Sequence, residues 1–566
     1  MLSSYRAHKK TEAQILSTSF KVNSFMPNLI FSTPPRNSQS HSIKRFSVRA
    51  AAIAALFSTN LFAVAPYLKA EKPIIDKEGR TQVIVDFTHD AHLRYSGNLP
   101  LLPKEAGRSQ EKPGEFFHTE KSLALVVDYE NRFDFTRLGM TSWVGNSVAA
   151  MVLPETIKRL QNDPLVKQVS DDNFSKFSAN PPSTWTNIFG SETTSWGHMA
   201  VNGKFATSNT GRKIYIIDSA VAVHDDLPDA TQMTRLNVAC GASGNCNPIE
   251  YPVVGCYAHA THVAGIIGAK ADNSKTVKGA YAGSQGYPKL VSLSVLKRTV
   301  DVNPDNCADA PFDPPGTQAP TFSAHGYALD YIAWDTTYNY PTQMVHIATM
   351  SMNSGGVAYQ YGTPEPNWSK LNALVNTIWA YGIPVKPGVF FVQSAGNTNN
   401  TSDFDACAVS YRPGQAEPAS AYDGVMVVAA AHATGQAVSE SLRFSGSWPT
   451  NLSGEDASYF SRSGSCVDVW APGNLIASTW GAHVGHTVLG PTYTGNVLES
   501  GTTQGWGFLT RTSMAAPFVA AAAAWLADTY SLTTPAEVEQ AVRNNSYQWY
   551  GYTDSSGLPV KMVQLP

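Results

Sequence analysis

The sequence predicts a doubly wound α/β fold with a mostly parallel sheet, preceded by a small α/β domain. Three observations predict it. From residue 213 onward, short β-branched runs alternate with helical segments. Those runs are apolar nearly end to end, as strands covered on both faces must be. Several of them stop at a polar residue, at the carboxyl end where open parallel sheets gather functional groups. A chain of 566 residues that is 43% hydrophobic and 15% charged has ample material for such a core.

The elements follow in order. A basic stretch, 42–49, runs into the small apolar residues AAIAALFSTNLFAVA (51–65), and Ala63-Val64-Ala65 offers a small-x-small cleavage site. Residues 1–65 therefore read as a signal or targeting region, too short in its apolar part for a membrane span. Residues 66–120 are mixed in character and poorly defined. KSLALVVDY (121–129) and SVAAMVL (147–153) read as strands, and 154–173 as a Pro-started helix followed by a strand. The hydroxyl- and Pro-rich residues 174–194 read as a linker. Beyond it, strands are expected at 213–218, 289–296, 345–352, 389–397, 425–431 and 467–473. Helices are expected at 259–268, 323–339 and 371–382, the last ending in Gly382, and an Ala-rich helix opens near Ser513 with Pro517 in its first turn.

Net charge of −3 and a pI near 6.5 give no electrostatic case for nucleic acid or an anionic membrane. All six cysteines (Cys240, Cys246, Cys256, Cys307, Cys407, Cys466) fall between residues 240 and 466, without the CxxC spacing of a zinc ribbon. In an exported protein an even count implies disulfides, and the pairing stays open.

Four polar residues carry the chemistry. Asp218 ends the apolar run KIYIID, His259 opens the helix HATHVAGIIG, Asn397 ends VFFVQSAGN, and Ser513 starts the Ala-rich helix. A carboxylate, an imidazole and a hydroxyl brought together make an activated nucleophile. A Ser in the first turn of a helix also has a free backbone N–H at the positive dipole end, which with an Asn amide could hold a developing oxyanion.

The wording around these residues resembles the subtilisin-like serine peptidases. KIYIIDSAVAVHDDL resembles the family's Asp motif, HATHVAGIIGA its His motif, FVQSAGN its oxyanion motif and RTSMAAPFVAA its Ser motif, in the family's order. ATMSMNSGG (348–356) resembles its substrate-binding strand, which implies substrate contacts at Ser351, Met352 and Asn353. The resemblance implies a triad of Asp218, His259 and Ser513, an oxyanion donor in Asn397, and a structural role for His262. It also implies that 121–180 is an inhibitor-like propeptide cut off between 173 and 195, and that 190–566 is the peptidase domain.

The function expected is thus a secreted serine endopeptidase, extracellular or periplasmic, made as a self-processing precursor. It would act on polypeptide substrates as a monomer without a required cofactor, bind its own propeptide, and keep no membrane span after processing. The family often holds structural calcium. Here 224–226 and 301–305 offer oxygen ligands without EF-hand spacing, so the metal is unassigned.

Three positions depart from the family pattern: Asp218-Ser219-Ala220 for Asp-Thr-Gly, Ala260 in the His motif, and Arg511 for the Gly before Thr-Ser. Ala220 and Arg511 would matter if their backbones needed positive φ. The rival reading is an impaired pseudoenzyme that binds extended peptides. A lipase-like hydrolase is disfavoured because no G-x-S-x-G occurs.

Overall fold

The computed structural model describes residues 64–70, 73–88, 120–172, 176–177, 195–205, 211–229, 231–238, 249–250, 258–271, 273, 277–282, 288–298, 317–318, 321–338, 344–353, 367–376, 378–380, 383–386, 388–397, 405–410, 422–433, 455–457, 460–480, 505–554 and 557–566. Nearly all of the targeting region, including the basic and apolar stretches, lies outside this set. Among the described residues no helix is long and apolar enough to cross a membrane.

The N-terminal part builds a five-stranded sheet with two helices. Its elements are β1 (Tyr67–Leu68), β2 (Thr81–Phe87), α1 (Glu120–Phe133), β3 (Thr136–Thr141), β4 (Ser147–Val152), α2 (Pro154–Gln161) and β5 (Val166–Asp171), with the strands in the order β1-β5-β2-β4-β3. The expected strand at 121–129 is therefore a helix. Leu125, Tyr129 and Phe133 recur at a spacing of four and are buried against Val83, Val85 and Phe87, so the apolar face has the helical period rather than the strand period of two. The strand that takes its place in the sheet is β2, inside the stretch whose sequence was least readable. Strands β4 and β5 and the Pro-started helix α2 lie where the sequence puts them.

After the two-residue strand β6 (Lys176–Phe177), the larger sheet begins with β7 (Lys213–Asp218) and β8 (Met233–Asn237). Helix α3 (Ala258–Gly268), β9 (Lys289–Ser294), α4 (Phe322–Tyr338), β10 (Ile347–Met350), β11 (Met352–Asn353) and α5 (Trp368–Asn376) follow. Then come β12 (Phe390–Ser394), β13 (Val425–Ala433), β14 (Val469–Pro472), β15 (Ile476–Trp480), β16 (Gly505–Leu509), α6 (Thr512–Thr529), α7 (Pro535–Asn544), β17 (Ser546–Thr553) and β18 (Pro559–Val563). The spatial order of these strands is β8-β9-β7-β10-β12-β13-β14-β18-β17, parallel from β8 to β18; β17 runs antiparallel to β18, and the short segments Ile249–Glu250 and Glu455–Ala457 add antiparallel to β8 and β13. The fold is the doubly wound α/β sheet that the sequence predicts.

Alternating side chains explain why both faces are covered. On β7, Ile214 and Ile216 join a core with α3 and α6, while Tyr215 and Ile217 join a core with α4 and α5. Strand β12 repeats this, with Phe390 and Val392 on the first face and Phe391 on the second. Helix α5 ends at Asn376, six residues short of the expected Gly382, and 378–380 is a short strand paired with 383–386. The β-branched and aromatic residues Ile378 and Trp379 suit a strand, and they sit at the end of the apolar run that had suggested one continuous helix.

The N-terminal unit rests on the α4/α5 face. Trp143, Val144 and Ala149 are buried in the same cluster as Tyr327, Tyr331 and Leu374. Polar bonds frame that contact. The Asp330 carboxylate accepts the backbone N–H groups of Ser142, Trp143 and Val144; Lys370 Nζ lies 3.0 Å from Asp86 Oδ1; and Asp172 accepts the N–H and hydroxyl of Ser323 at the start of α4.

Candidate active site

Strand order reverses between β7 and β10: from β7 the chain runs to β8 and β9 on one side, then returns to β10 on the other. Such a switch point opens a crevice at the carboxyl ends of the strands. Asp218 closes β7 and Ser351 follows β10, one on each side of it.

Asp218 is fully buried. Its Oδ1 accepts from Nδ1 of His259 at 2.7 Å and from the backbone N–H of Ser219, also at 2.7 Å. A carboxylate against Nδ1 fixes that nitrogen as the protonated one and leaves Nε2 as the basic site. Helix α3 is anchored at its start: the Ser219 hydroxyl accepts from the Ala260 N–H at 3.2 Å, and Thr261 Oγ1 accepts from the Ala222 N–H at 2.9 Å. Ser219 thus keeps a hydroxyl where the family pattern has Thr. His262 on the next turn lies with Nε2 2.9 Å from the Ile476 carbonyl, tying α3 to β15 as the structural reading expects. Ala220 is buried and does not have positive φ, so its methyl group causes no backbone strain.

Ser513 is the second residue of α6 and is fully buried. Its hydroxyl donates to the Ser351 carbonyl at 3.1 Å, and the Ser351 hydroxyl donates back to the Ser513 carbonyl at 3.0 Å. Pro517 explains the return bond. It is the sixth residue of the helix, not a member of its first turn, and as Pro it cannot give Ser513 the usual i+4 hydrogen bond. The Ser351 hydroxyl supplies the missing donor. The packing of α3 on α6, through Ala260, Val263 and Ala264 with Met514, Ala515 and Phe518, brings the helix that carries His259 against the one that carries Ser513.

Asn397 follows β12. Its Oδ1 accepts from the Thr512 N–H at 3.0 Å and the Thr512 hydroxyl at 3.1 Å, which assigns the NH2 end of the amide as a donor beside the start of α6. Its backbone also bridges to Ser461. Sequence reasoning missed both Thr512 and the Ser351 hydroxyl as positioning groups. Each lies inside a quoted motif, but nothing in the linear order shows that the motifs touch.

Arg511 precedes the helix with φ 133° and ψ 173°, a left-sided conformation that favours glycine. Its N–H donates to the Gly473 carbonyl at 2.7 Å, and its guanidinium lies 5.1 Å from the centre of the Phe460 ring. A Cβ at Gly473 would meet the Ala430 Cβ at 2.4 Å, so the residue that accepts the Arg511 N–H is closely packed and has room only for glycine. Of the two departures where positive φ would matter, Arg511 meets it and Ala220 does not.

Strand β11 pairs antiparallel with β6, Met352 opposite Phe177 and Asn353 opposite Lys176. Residues 176–177, between the chain's two parts, therefore lie as an added strand on Met352 and Asn353, two of the three expected substrate-binding residues.

The 224–226 loop does not suit calcium. Asp226 gives one carboxylate oxygen to Asn273 Nδ2 and the other to the Val277 N–H, and the Lys270 ammonium donates to the Asp225 carbonyl at 3.0 Å. A cation needing six or more oxygens would compete with a cation already there. Among the described residues no group of three or more His, Cys, Asp or Glu is placed to hold a metal. Residues 301–305 lie outside the described set.

Comparison with known proteins gives the family. The chain is 25% identical over 399 residues to the extracellular serine proteinase of a Thermus species, covering 70% of this chain and 69% of that one. It is 25% identical over 453 residues to the thermostable alkaline protease of Halalkalibacterium halodurans, covering 79% and 90% respectively. Among solved structures it is similar to fervidolysin from Fervidobacterium pennivorans, a keratinolytic enzyme related to subtilisin, with 17% identity, a TM-score of 0.49, and 89% and 64% of the two chains covered. The model of the subtilase family matches residues 209–559, a span that holds Asp218, His259, Asn397 and Ser513 and most of the chain, and this protein is accordingly a serine endopeptidase belonging to the subtilase family.

Proposed function

We propose that this chain is a secreted, self-processing serine endopeptidase precursor in which Asp218, His259 and Ser513 form the triad. The observation that carries the reading is the buried 2.7 Å contact between Asp218 Oδ1 and His259 Nδ1, set on the helix that packs against the helix of Ser513. With Nδ1–H held by Asp218, the Nε2 lone pair accepts the Ser513 proton once the hydroxyl turns from the Ser351 carbonyl. The serine oxygen then adds to the peptide carbonyl. Negative charge collects on the carbonyl oxygen, where the Asn397 NH2 and the Ser513 N–H donate to it, each such donor contributing about 3 kcal/mol. Asp218 stabilises the imidazolium, His259 returns the proton to the leaving amine, and water releases the acyl group.

In the same reading, the N-terminal unit is the propeptide. Its support is the docking of 142–144 on Asp330 and the lodging of 176–177 along β11, where a substrate would add as a strand. Export is supported by the basic and apolar residues of 42–65 and by the extracellular proteinase to which the chain is similar.

The test compares the wild-type protein with Ser513→Ala after treatment with a fluorophosphonate. The wild type should gain one adduct and be cut between 173 and 195, while the variant stays whole and unlabelled. A folded wild type that is neither cut nor labelled would instead establish a peptide-binding pseudoenzyme, with the strain at Arg511 as its first suspect.

A further inference from the structure

Two buried hydroxyls tie the helix of His259 to the hairpin that leads into Ser513. The carbonyls of Thr261 and His262, in the turn of α3 that begins at His259, each accept a side-chain hydroxyl from β15. Thr479 Oγ1 donates to Thr261 at 2.7 Å, and Ser478 Oγ donates to His262 at 2.6 Å. The His262 imidazole makes a third tie, with Nε2 2.9 Å from the Ile476 carbonyl. Ser478 and Thr479 are both fully buried. Gly265, one turn further along α3, leaves them their space: a Cβ there would lie 2.2 Å from Thr479 Oγ1 and 2.3 Å from Ser478 Oγ.

The same strand is bound to the start of the other helix. Strand β15 pairs antiparallel with β16, Ile476 opposite Leu509, and β16 runs directly into Thr510, Arg511 and α6. At the head of β15 the Thr510 hydroxyl accepts the Leu475 N–H at 3.1 Å and donates to Asn474 Oδ1 at 3.3 Å, while the Gly473 carbonyl accepts the Arg511 N–H at 2.7 Å. Strand β15 is thus a strut between the two helices. Their direct contact has little to set its own position, because the cluster between them is rich in alanine, with Ala260, Ala264, Ala515 and Ala516 all in it. Burial of such short side chains is non-directional and decides how closely the helices lie. Hydrogen bonds, with their narrow range of distance and angle, decide where along their axes they meet.

We propose that Ser478 and Thr479 are positioning residues for the peptidase reaction: their hydroxyls fix α3 lengthwise and so hold His259 Nε2 within reach of the Ser513 hydroxyl. The inference rests on the reading of His259 as base and Ser513 as nucleophile, and deepens it. Neither hydroxyl touches a reacting atom. Without them Asp218 still holds His259 Nδ1, but the imidazole moves with its helix and proton transfer from Ser513 slows. The residues expected to bind the peptide, Ser351 to Asn353, are left as they are.

The test measures kcat and KM separately, per folded molecule, for hydrolysis of a chromogenic peptide anilide. Each purified protein is first exposed to a trace of tagged wild-type enzyme, then freed of it, so that all are compared in the same state. Thr479→Val replaces the hydroxyl with a methyl group of the same shape. Combined with Ser478→Ala, it should lower kcat by about a hundredfold and leave KM within about twofold of wild type. Thr479→Ser keeps the hydroxyl and loses the methyl group, and its kcat should stay within about twofold of wild type. Val538→Ala truncates a fully buried residue in α7; it should lower the denaturant midpoint and leave kcat unchanged, which separates lost stability from lost positioning. A folded double variant with wild-type kcat would overturn the assignment. So would Thr479→Ser as slow as Thr479→Val, or a Val538→Ala kcat that falls as far as that of the double variant. His259→Ala then tells which reading has failed. If it is inactive, the triad stands and only the role of the two hydroxyls falls; if it is as active as wild type, both fall.

Discussion

The hydroxyl of Ser351 donates to the carbonyl of Ser513 at 3.0 Å, at the one helical position that Pro517 leaves without a backbone donor. A strand end and a helix start are thereby locked through the peptide group of Ser513. Removing the hydroxyl leaves a buried carbonyl unsatisfied, which costs about 1–3 kcal/mol. Ser351→Ala should therefore destabilise the protein by that amount. In a Pro517→Ala background the restored N–H at 517 reaches the same carbonyl, so the Ser351→Ala loss should shrink to within about 0.5 kcal/mol of zero. Denaturant melts of the four proteins of this cycle, each carrying Ser513→Ala to stop digestion, would read it. An undiminished loss would mean that the Ser351 bond does not substitute for the helix bond.

Arg511 sets backbone strain against a stacked side chain. Its φ of 133° costs about 1 kcal/mol relative to glycine, and the guanidinium over Phe460 returns about 0.5–2 kcal/mol. Arg511→Gly relieves the first and loses the second, so its stability should stay within about 1 kcal/mol of wild type. Arg511→Ala keeps the strain and loses the stack, and should be the least stable of the three. The ranking of their thermal midpoints is the check; an Ala variant as stable as the Gly variant would remove backbone strain from the account.

The disulfide Cys407–Cys466 closes a loop with a sequence separation of 59 and ties the chain after Asn397 to the segment that bridges to it. A loop of that length should lose about 4 kcal/mol on opening. Substituting both cysteines with Ser should shorten the half-life of the active enzyme at high protein concentration, where it meets itself as substrate, far more than in dilute solution. Cleavage sites near positions 407 and 466, located by mass spectrometry, would identify the opened region. Equal half-lives at both concentrations would show that the bond does not guard against self-digestion.

Much of this site was legible from sequence because parallel strands are short, apolar and punctuated. Asp218 ends an apolar run, Asn397 lies just past one, and Ser513 stands where a polar cluster gives way to one, and the sheet carries Asp218 and Asn397 at the carboxyl ends of its strands. The N-terminal unit was less legible. Its helix α1 carries so many apolar residues that the four-residue spacing of Leu125, Tyr129 and Phe133 is hidden inside a run resembling a strand. Its strand β2 is set among charged and turn-forming neighbours. The bonds that hold the site were not legible at all: Ser351 to Ser513, Asn397 to Thr512 and Arg511 over Phe460 join residues far apart in the chain. The strain at Arg511 was foreseeable as a condition, since a non-glycine there matters only if φ is positive. Whether it is positive depends on where the Gly473 carbonyl receives the Arg511 N–H.

Asp330 makes the grip of the N-terminal unit depend on pH. In the docked form its carboxyl is fully buried, and burial raises its pKa to about 7; the N–H groups of Trp143, Val144 and Ser142 and the charge of Lys370 pull the other way without overcoming it. Undocking returns the carboxyl to water and to its ordinary value of 3.8. An acid whose pKa is higher in the docked form favours docking while it is protonated. That contribution is complete below the undocked value and is lost as pH rises through about 7. If the N-terminal unit is cut off as proposed, the fraction of it that the fluorophosphonate-blocked enzyme retains on size exclusion should therefore fall between about pH 5 and pH 8. Asp330→Asn keeps an acceptor for the three N–H groups but cannot ionise, so its retention should be flat across that window. Asp86→Asn removes one partner of Lys370 and should lower retention at every pH while preserving the slope. A wild-type profile that is flat or rises with pH would show that the three N–H bonds, and not burial, govern the Asp330 carboxyl.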